Sequence, residues 1–199
     1  GSGKSTLMRL MLGLEKIQSG TITYDNQDLA NLDLPLLRRQ IGVVTQDGKV
    51  HAGTIIDNIR GATNIDHERC LNACIEAGLG KDLAGFPMGL HTPLTEGGAS
   101  LSGGQRQRIL IARALVQQPS ILFLDEATSA LDNRTQALVT ESLEKLNITR
   151  IVIAHRLSTI INADRIFVLG DGELLDSGTY EELLASSDVF SKMVKRQIV

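Results

Sequence analysis

The chain has 199 residues, 42% apolar and 22% charged, a balance ordinary for a globular domain with enough core to fold without covalent staples. A formal net charge of −3 and an aromatic content of 3%, with no Trp, exclude a global basic field and a base-stacking platform, so nucleic acid is not an expected partner. Cys70 and Cys74 lack redox-pair spacing and the co-ligands of a metal site; they read as small side chains on one helix face, in a reducing compartment.

A Gly-rich turn, GSGKST, runs directly into an apolar-periodic helix from Leu7 to Leu14. No Met and no strand precede that turn, so the chain reads as cut inside the loop. Thr21 to Tyr24 reads as a short strand followed by a polar turn. Pro35 opens a short helix, LPLLRRQ, and Ile41 to Thr45 is a β-branched strand ending at Gln46. After the loop DGKVHAG, helices are expected over Thr54 to Arg60, Asp66 to Ala77 and Lys81 to Ala84, with few strand signals among them. A Gly-rich linker, TEGGASLSGGQ, leads into a long helix ending near Gln118, where Pro119 stops it. Ile121 to Leu124 is a fully apolar strand ending in Asp125 and Glu126. A helix from Arg134 to Leu146 and an apolar strand from Arg150 to Ala154, ending at His155, follow. Ile166 to Leu169 and Glu173 to Leu175 flank GDG as a hairpin, and Thr179 to Ala185 starts a closing helix.

Apolar strands alternating with helices predict an α/β fold, a mostly parallel sheet flanked by helices, with a helical subdomain inserted over about residues 47–118 and the α/β core in about 1–46 and 119–199. No apolar run approaches the ~20 residues of a membrane-spanning helix. A membrane role therefore has to come through a partner or another part of the polypeptide.

Three motifs carry the chemistry. GSGKST is the C-terminal part of a phosphate-binding loop. Gly1 and Gly3 let backbone N–H groups converge on phosphate oxygens, Lys4 reaches the β- and γ-phosphates, and Ser5 offers its hydroxyl to Mg²⁺. ILFLDE ends an apolar strand in two acids that would be costly inside a sheet but face a ligand crevice at a strand's C-terminal tip. Asp125 there suits Mg²⁺, and Glu126 suits polarising a water for attack on the γ-phosphate. LSGGQ, Leu101 to Gln105, sits just before a helix and presents Ser102, Gly103 and Gly104 at its positive end. A plain N-cap accounts for Ser102 but not for both glycines. A second phosphate surface on a chain with one phosphate loop is most simply explained by the site of another copy.

GSGKST, Gln46, LSGGQ, ILFLDE, SALD and His155, in this order, resemble the ATP-binding cassette family over essentially the whole chain, and the wording around LSGGQRQRILIARAL and IVIAHRLSTI is similar to its exporter-type nucleotide-binding domains. The resemblance implies a P-loop NTPase core with a helical signature subdomain, and ATP hydrolysis with Mg²⁺ in a head-to-tail nucleotide-sandwich dimer. ATP would be held by Gly1, Ser2, Gly3, Lys4, Ser5 and Thr6 of one copy and by Leu101, Ser102, Gly103, Gly104 and Gln105 of the other. Glu126, His155 and Gln46 would be catalytic; Ser5, Gln46 and Asp125 would hold the metal; Asp132 would couple the two copies. Glu96 resembles the segment that exporters set against their membrane helices. A transmembrane domain, expected in the same polypeptide, would place the chain on the cytoplasmic face of the plasma (inner) membrane.

QDGKVHAGTIIDNI and TEGGASLSGGQ are similar to bacterial peptide or bacteriocin exporters. A non-transport ATPase of the same fold (DNA-repair, chromosome- or translation-associated) and an importer subunit are the alternatives; the compact stretch between Gln46 and LSGGQ, without heptads or a basic cluster, speaks against the first. The family's adenine-stacking aromatic lies upstream of the loop, so the isolated segment is expected to bind nucleotide weakly and to be marginally stable. His51, His67 and His91 read as surface residues, and Arg106, Arg108 and Arg113 as solvated or paired.

Overall fold

The structure, a computed structural model, describes residues 2–125, 127, 131–154 and 156–198, with the side chains of all of these except 133, 134, 197 and 198. In chain order its helices and strands are α1 (Lys4–Met11), β1 (Thr23–Tyr24), β2 (Gln27–Asp28), α2 (Leu34–Arg39), β3 (Ile41–Val44), β4 (Gly53–Thr54), α3 (Ile55–Arg60), α4 (His67–Glu76), α5 (Gly80–Leu83), β5 (Pro93–Leu94), α6 (Gly103–Leu115), β6 (Ile121–Asp125), α7 (Asn133–Glu144), β7 (Thr149–Ile153), α8 (Leu157–Ile160), β8 (Ile166–Gly170), β9 (Glu173–Gly178), α9 (Tyr180–Ser186) and α10 (Asp188–Ile198). Two compact units divide the chain: Gly1–Leu32 with Ile153–Val199, and Asp33–Val152.

In the first unit, α1 begins three residues before the apolar periodicity does, because Gly3, at φ +88°, turns the chain straight onto the helix axis. It stops at Met11 rather than Leu14. Gly13 (φ +63°) sends its N–H to Leu10 O and the Leu14 N–H to Arg9 O at 2.9 Å, a left-handed glycine cap that satisfies the last carbonyls. The β1–β2 and β8–β9 turns each place two residues at positive φ, Asp25 and Asn26 in one, Asp171 and Gly172 in the other, the turn geometry that matches strand twist. The Tyr24 hydroxyl donates to Met11 O at 2.7 Å and ties the first hairpin to α1. A small core of Val168, Leu183, Phe190 and Val194 packs α9 and α10 by the second hairpin. The sequence reading starts one closing helix over Thr179 to Ala185, without a break after it. The structure adds α10, which starts where the Ser187 hydroxyl accepts from Phe190 N–H at 3.3 Å.

The second unit holds a three-stranded sheet in the order β3-β6-β7, with β3 and β6 parallel and Val44 opposite Leu124. Its larger core is built on α6, whose Ile109, Ile111 and Leu115 are almost fully buried among residues of α3, α4 and the sheet. The burial is confined to the second half of α6, where ILIARAL is apolar but for Arg113; the first half, GGQRQR, is only partly buried. The contact is close: a Cβ on Gly42 of β3 would lie 2.6 Å from the Ala114 carbonyl oxygen. α6 ends earlier than expected, at Leu115, and Gln118 takes φ +53° before Pro119. Short side chains cap most of the helices here. Thr54 with Asp57, and Ser102 with Gln105, form reciprocal capping boxes, and Asp33, Asp66 and Asp132 each accept from an N3 backbone N–H. Where the sequence shows few strand signals, β4 and β5 pair over two residues each, too short for alternation to reveal. Cys70 and Cys74 lie on one face of α4, free and buried.

Candidate functional site

The phosphate-loop residues belong to the first unit. Gly3 precedes α1 without a side-chain cap, and the first intrahelical bond runs from Leu7 N–H to Gly3 O at 2.9 Å, so the opening turn of α1 presents backbone donors at the positive helix end. Lys4 folds back over this turn, its Nζ donating to Ser2 Oγ at 2.7 Å. An ammonium held over a left-handed glycine turn is a cradle for phosphate oxygens.

The acidic and glutamine positions belong to the second unit. β3 and β6 run parallel in matched register, so the residues that follow Val44 and Leu124 leave the sheet at the same edge. Gln46 is exposed just beyond β3, and Asp125, 6% exposed, closes β6. These two are therefore brought to one sheet edge, as the strand-tip reading expects. Glu126 and His155, given catalytic roles in the sequence reading, and Gly1 of the loop lie outside the described residues.

The signature segment is built around the start of α6. Ser102 is the N-cap, accepting Gln105 N–H at its Oγ (3.1 Å), while Gln105 Oε1 accepts Ser102 N–H (2.9 Å). With a lone pair so engaged, the hydroxyl proton can still be donated outward. A Cβ on Gly104 would meet Leu131 Cδ2 at 3.5 Å, an ordinary contact. Among the described residues nothing demands a glycine there, which fits close approach by an external ligand. Leu101, beside this cap, is buried at 5% and acts as a packing anchor.

Asp132 also has a local duty, capping α7 through Thr135 N–H and Thr135 Oγ1, both at 2.9 Å. Glu96 reaches back along its own unit: its Oε2 accepts Ala52 N–H at 2.9 Å, its Oε1 stands 3.5 Å from His51 Nδ1, and Gly97 N–H donates to Val50 O at 2.9 Å. The Ala52 N–H, first of all, holds the Glu96 carboxyl below the usual range. His51, His67 and His91 are all exposed, as the sequence reading expects; His51 faces Glu96 at the surface, and His67 and His91 stack on each other with centroids 5.6 Å apart.

The three arginines of α6 are all paired. Arg106 donates to Leu101 O at 2.9 Å, Arg108 to Asp82 Oδ2 at 2.6 Å, and Arg113 to Asn58. Asn58 and Asp82 are the residues that sequence reasoning missed. Each sits in a short helix with no motif around it, and only the long-range partner reveals its role.

The residues suit a nucleotide with Mg²⁺. Among the described residues no cluster of three or more His, Cys, Asp or Glu could enclose a metal; Mg²⁺ is commonly held by one or two protein oxygens with water and phosphates, and Ser5 in the first unit and Asp125 in the second each carry an oxygen of that kind. Among the described residues no helix is long and apolar enough to cross a membrane.

Comparison with known proteins points the same way. The family model described as ABC transporter matches residues 1–129. Heavy metal tolerance factor 1 of Caenorhabditis elegans is 43% identical, over 100% of this chain and 25% of its own length. The ATP-dependent lipid A-core flippase of Neisseria meningitidis serogroup A is 41% identical over 97% of this chain and 32% of its own. Human ATP-binding cassette sub-family B member 6 is 42% identical over 99% of this chain and 24% of its own. The chain therefore spans 24–32% of the length of these relatives. A solved structure of a bacterial Atm1-family ABC exporter with ATP bound superposes with a TM-score of 0.94 at 37% identity, covering 100% of this chain and 35% of that one.

Proposed function

The chain belongs to the ABC transporter family, and from that premise we propose that it binds and hydrolyses ATP with Mg²⁺ in a head-to-tail dimer, powering export across a membrane. One observation carries the reading. The cap of α6 offers a hydroxyl donor and a sterically undemanded glycine at a helix N-terminus, and this surface is additional to the phosphate loop at α1. A single nucleotide on a single chain has no use for both.

In this reading Ser2, Gly3, Lys4, Ser5 and Thr6, with Gly1, hold the triphosphate of one nucleotide. Leu101, Ser102, Gly103, Gly104 and Gln105 of the second copy close over its γ-phosphate. Mg²⁺, when bound, neutralises charge that develops on the phosphate oxygens. Ser5, Asp125 and Gln46 are the residues that would hold it. Glu126 accepts a proton from the attacking water, a role worth about 10²–10⁴-fold in rate. His155 orients that water and the γ-phosphate, and Asp132 couples one copy to the other. The stretch over about residues 47–118 serves as the helical signature subdomain. A transmembrane domain, in the same polypeptide, receives the motion at the cytoplasmic face of the membrane. Two of the relatives, named as a flippase and as an exporter, support export over a DNA-, chromosome- or translation-associated ATPase and over an importer subunit.

Glu126→Gln tests the assignment. It is expected to keep ATP affinity while abolishing turnover and holding the closed dimer. Hydrolysis by that variant at the unsubstituted rate contradicts it.

A further inference from the structure

The amide of Gln105 is gripped at both ends. Its Oε1 accepts Ser102 N–H at 2.9 Å, and its Nε2 donates to Asp82 Oδ1 at 3.0 Å. Asp82, on α5, is fixed in turn by Arg108, whose Nη1 and Nη2 donate to Oδ2 at 2.6 Å and Oδ1 at 3.3 Å. Arg108 itself is pinned by Gly78 O (2.8 Å) and Gly104 O (3.2 Å). The Arg108 and Asp82 side chains are 11% and 20% exposed, so solvent screens the pair little.

A primary amide can rotate by half a turn and exchange its donor for its acceptor. A carboxylate facing it accepts only and cannot tolerate the amide oxygen. Asp82 therefore dictates that the NH₂ group points to α5 and that Oε1 points to the Ser102 backbone. With Oε1 there, the capping box closes in both directions, and Ser102 is held at the N-cap dihedrals φ −65°, ψ 159°. Nothing in the LSGGQ motif contains this control; it sits about twenty residues upstream in a four-residue helix.

We propose that Asp82 is a positioning residue for the signature motif: clamped by Arg108, it orients the Gln105 amide and so presets Ser102 for the γ-phosphate of the partner copy's nucleotide. This rests on the function proposed above. Without Asp82 the amide samples both orientations, the capping box opens for part of the time, and closing the dimer on ATP has to restore it.

The test uses the intact, full-length protein with two readouts. The first is hydrogen–deuterium exchange of the peptide spanning residues 99–106, followed at the Ser102 amide. The second is the apparent KM for ATP in hydrolysis, set beside the affinity of the open protein for a fluorescent ATP analogue. Asp82→Ala is expected to speed exchange at Ser102 and to raise KM about five- to tenfold, the net worth of one ordinary hydrogen bond, here the capping-box bond that closing has to restore, while open-state affinity stays unchanged. Gln105→Glu, which sets two carboxylates face to face, gives the same defects, and adding Asp82→Asn, whose amide can donate, relieves them. That suppression keeps the proposal testable if Asp82→Ala fails to fold. Unchanged exchange in Asp82→Ala, unchanged KM, or Gln105→Glu left unrelieved by Asp82→Asn overturns the proposal. Failure of Glu126→Gln to trap ATP counts instead against the function reading, and the exchange readout still judges Asp82.

Discussion

The Arg113 guanidinium holds Asn58 at two points, donating to its backbone carbonyl oxygen at 2.6 Å and to its side-chain Oδ1 at 2.7 Å. The same Oδ1 accepts His51 N–H at 2.8 Å, and Asn58 Nδ2 donates to His51 O at 2.8 Å and Thr54 O at 3.0 Å. Asn58, only 4% exposed, therefore uses its full side-chain capacity to fasten the segment that follows Gln46 onto α6. Burial lowers the pKa of Arg113, and the guanidinium, charged throughout the neutral range, takes its solvation from these acceptors instead of water.

Replacing Asn58 by Ala takes a side-chain partner from one charged donor and three backbone groups. The expected cost is about 2–4 kcal/mol of unfolding free energy, read from denaturant midpoints. A loss below about 0.5 kcal/mol, the size of an ordinary surface change, would mean that solvent replaces these bonds freely.

Gly42→Ala tests the contact between β3 and α6. The new methyl would meet a backbone carbonyl oxygen at 2.6 Å as well as Leu122 and Pro119, so strand and helix have to separate. Overpacking of this kind costs about 1–3 kcal/mol. An alanine variant as stable as the parent would show that the sheet and α6 are spaced more widely than described.

Lys4→Ala removes the ammonium that now rests on Ser2 Oγ. The loss of one charge-assisted bond predicts about a 10- to 100-fold weaker affinity for ATP, measured by titration with a fluorescent analogue. Unchanged affinity would remove the phosphate loop from the account.

The Glu96 carboxyl titrates below its ordinary value because Ala52 N–H, above all, stabilises the charged form. A lowered folded pKa means that its contribution is present above the unfolded value and is lost as pH falls through the folded one. The Ala52 amide resonance should therefore move at acid pH with a midpoint below that of an unperturbed glutamate, and Glu96→Gln should abolish the inflection. A midpoint at or above the ordinary value contradicts the bond.

Burial pushes the Cys74 thiol up to about 12 and raises Cys70 as well, so neither supplies thiolate at neutral pH. A disulfide-exchange reagent should leave both unmodified in the folded protein and label both in denaturant. Rapid labelling of the folded chain would place α4 at the surface.

Motif residues were legible because their chemistry is local. A left-handed glycine before a lysine, an acid ending an apolar strand and a serine before two glycines each announce a backbone geometry. The N-cap roles of Ser102 and Asp132 show the limit of such reading, since the same side chains that mark a ligand surface also start α6 and α7. Helix ends moved where glycine or proline geometry overrode periodicity, as at Gly13 and Gln118. Asn58, Asp82 and Arg113 were not legible as partners. Their bonds join residues 26 and 55 positions apart, and no period or spacing encodes such a pairing. α10 escaped because a single extended residue, Ser187, separates it from α9.

Complementation between two disabled copies tests the dimer most directly. Lys4→Ala and Ser102→Ala are each expected to abolish turnover in a homodimer, because every composite site then lacks one side. Co-expressed, the two variants assemble a mixed dimer in which one site pairs an intact Lys4 with an intact Ser102, and ATP hydrolysis returns to it. No recovery in the purified mixed dimer would show that each chain completes its own site, and the account would fail.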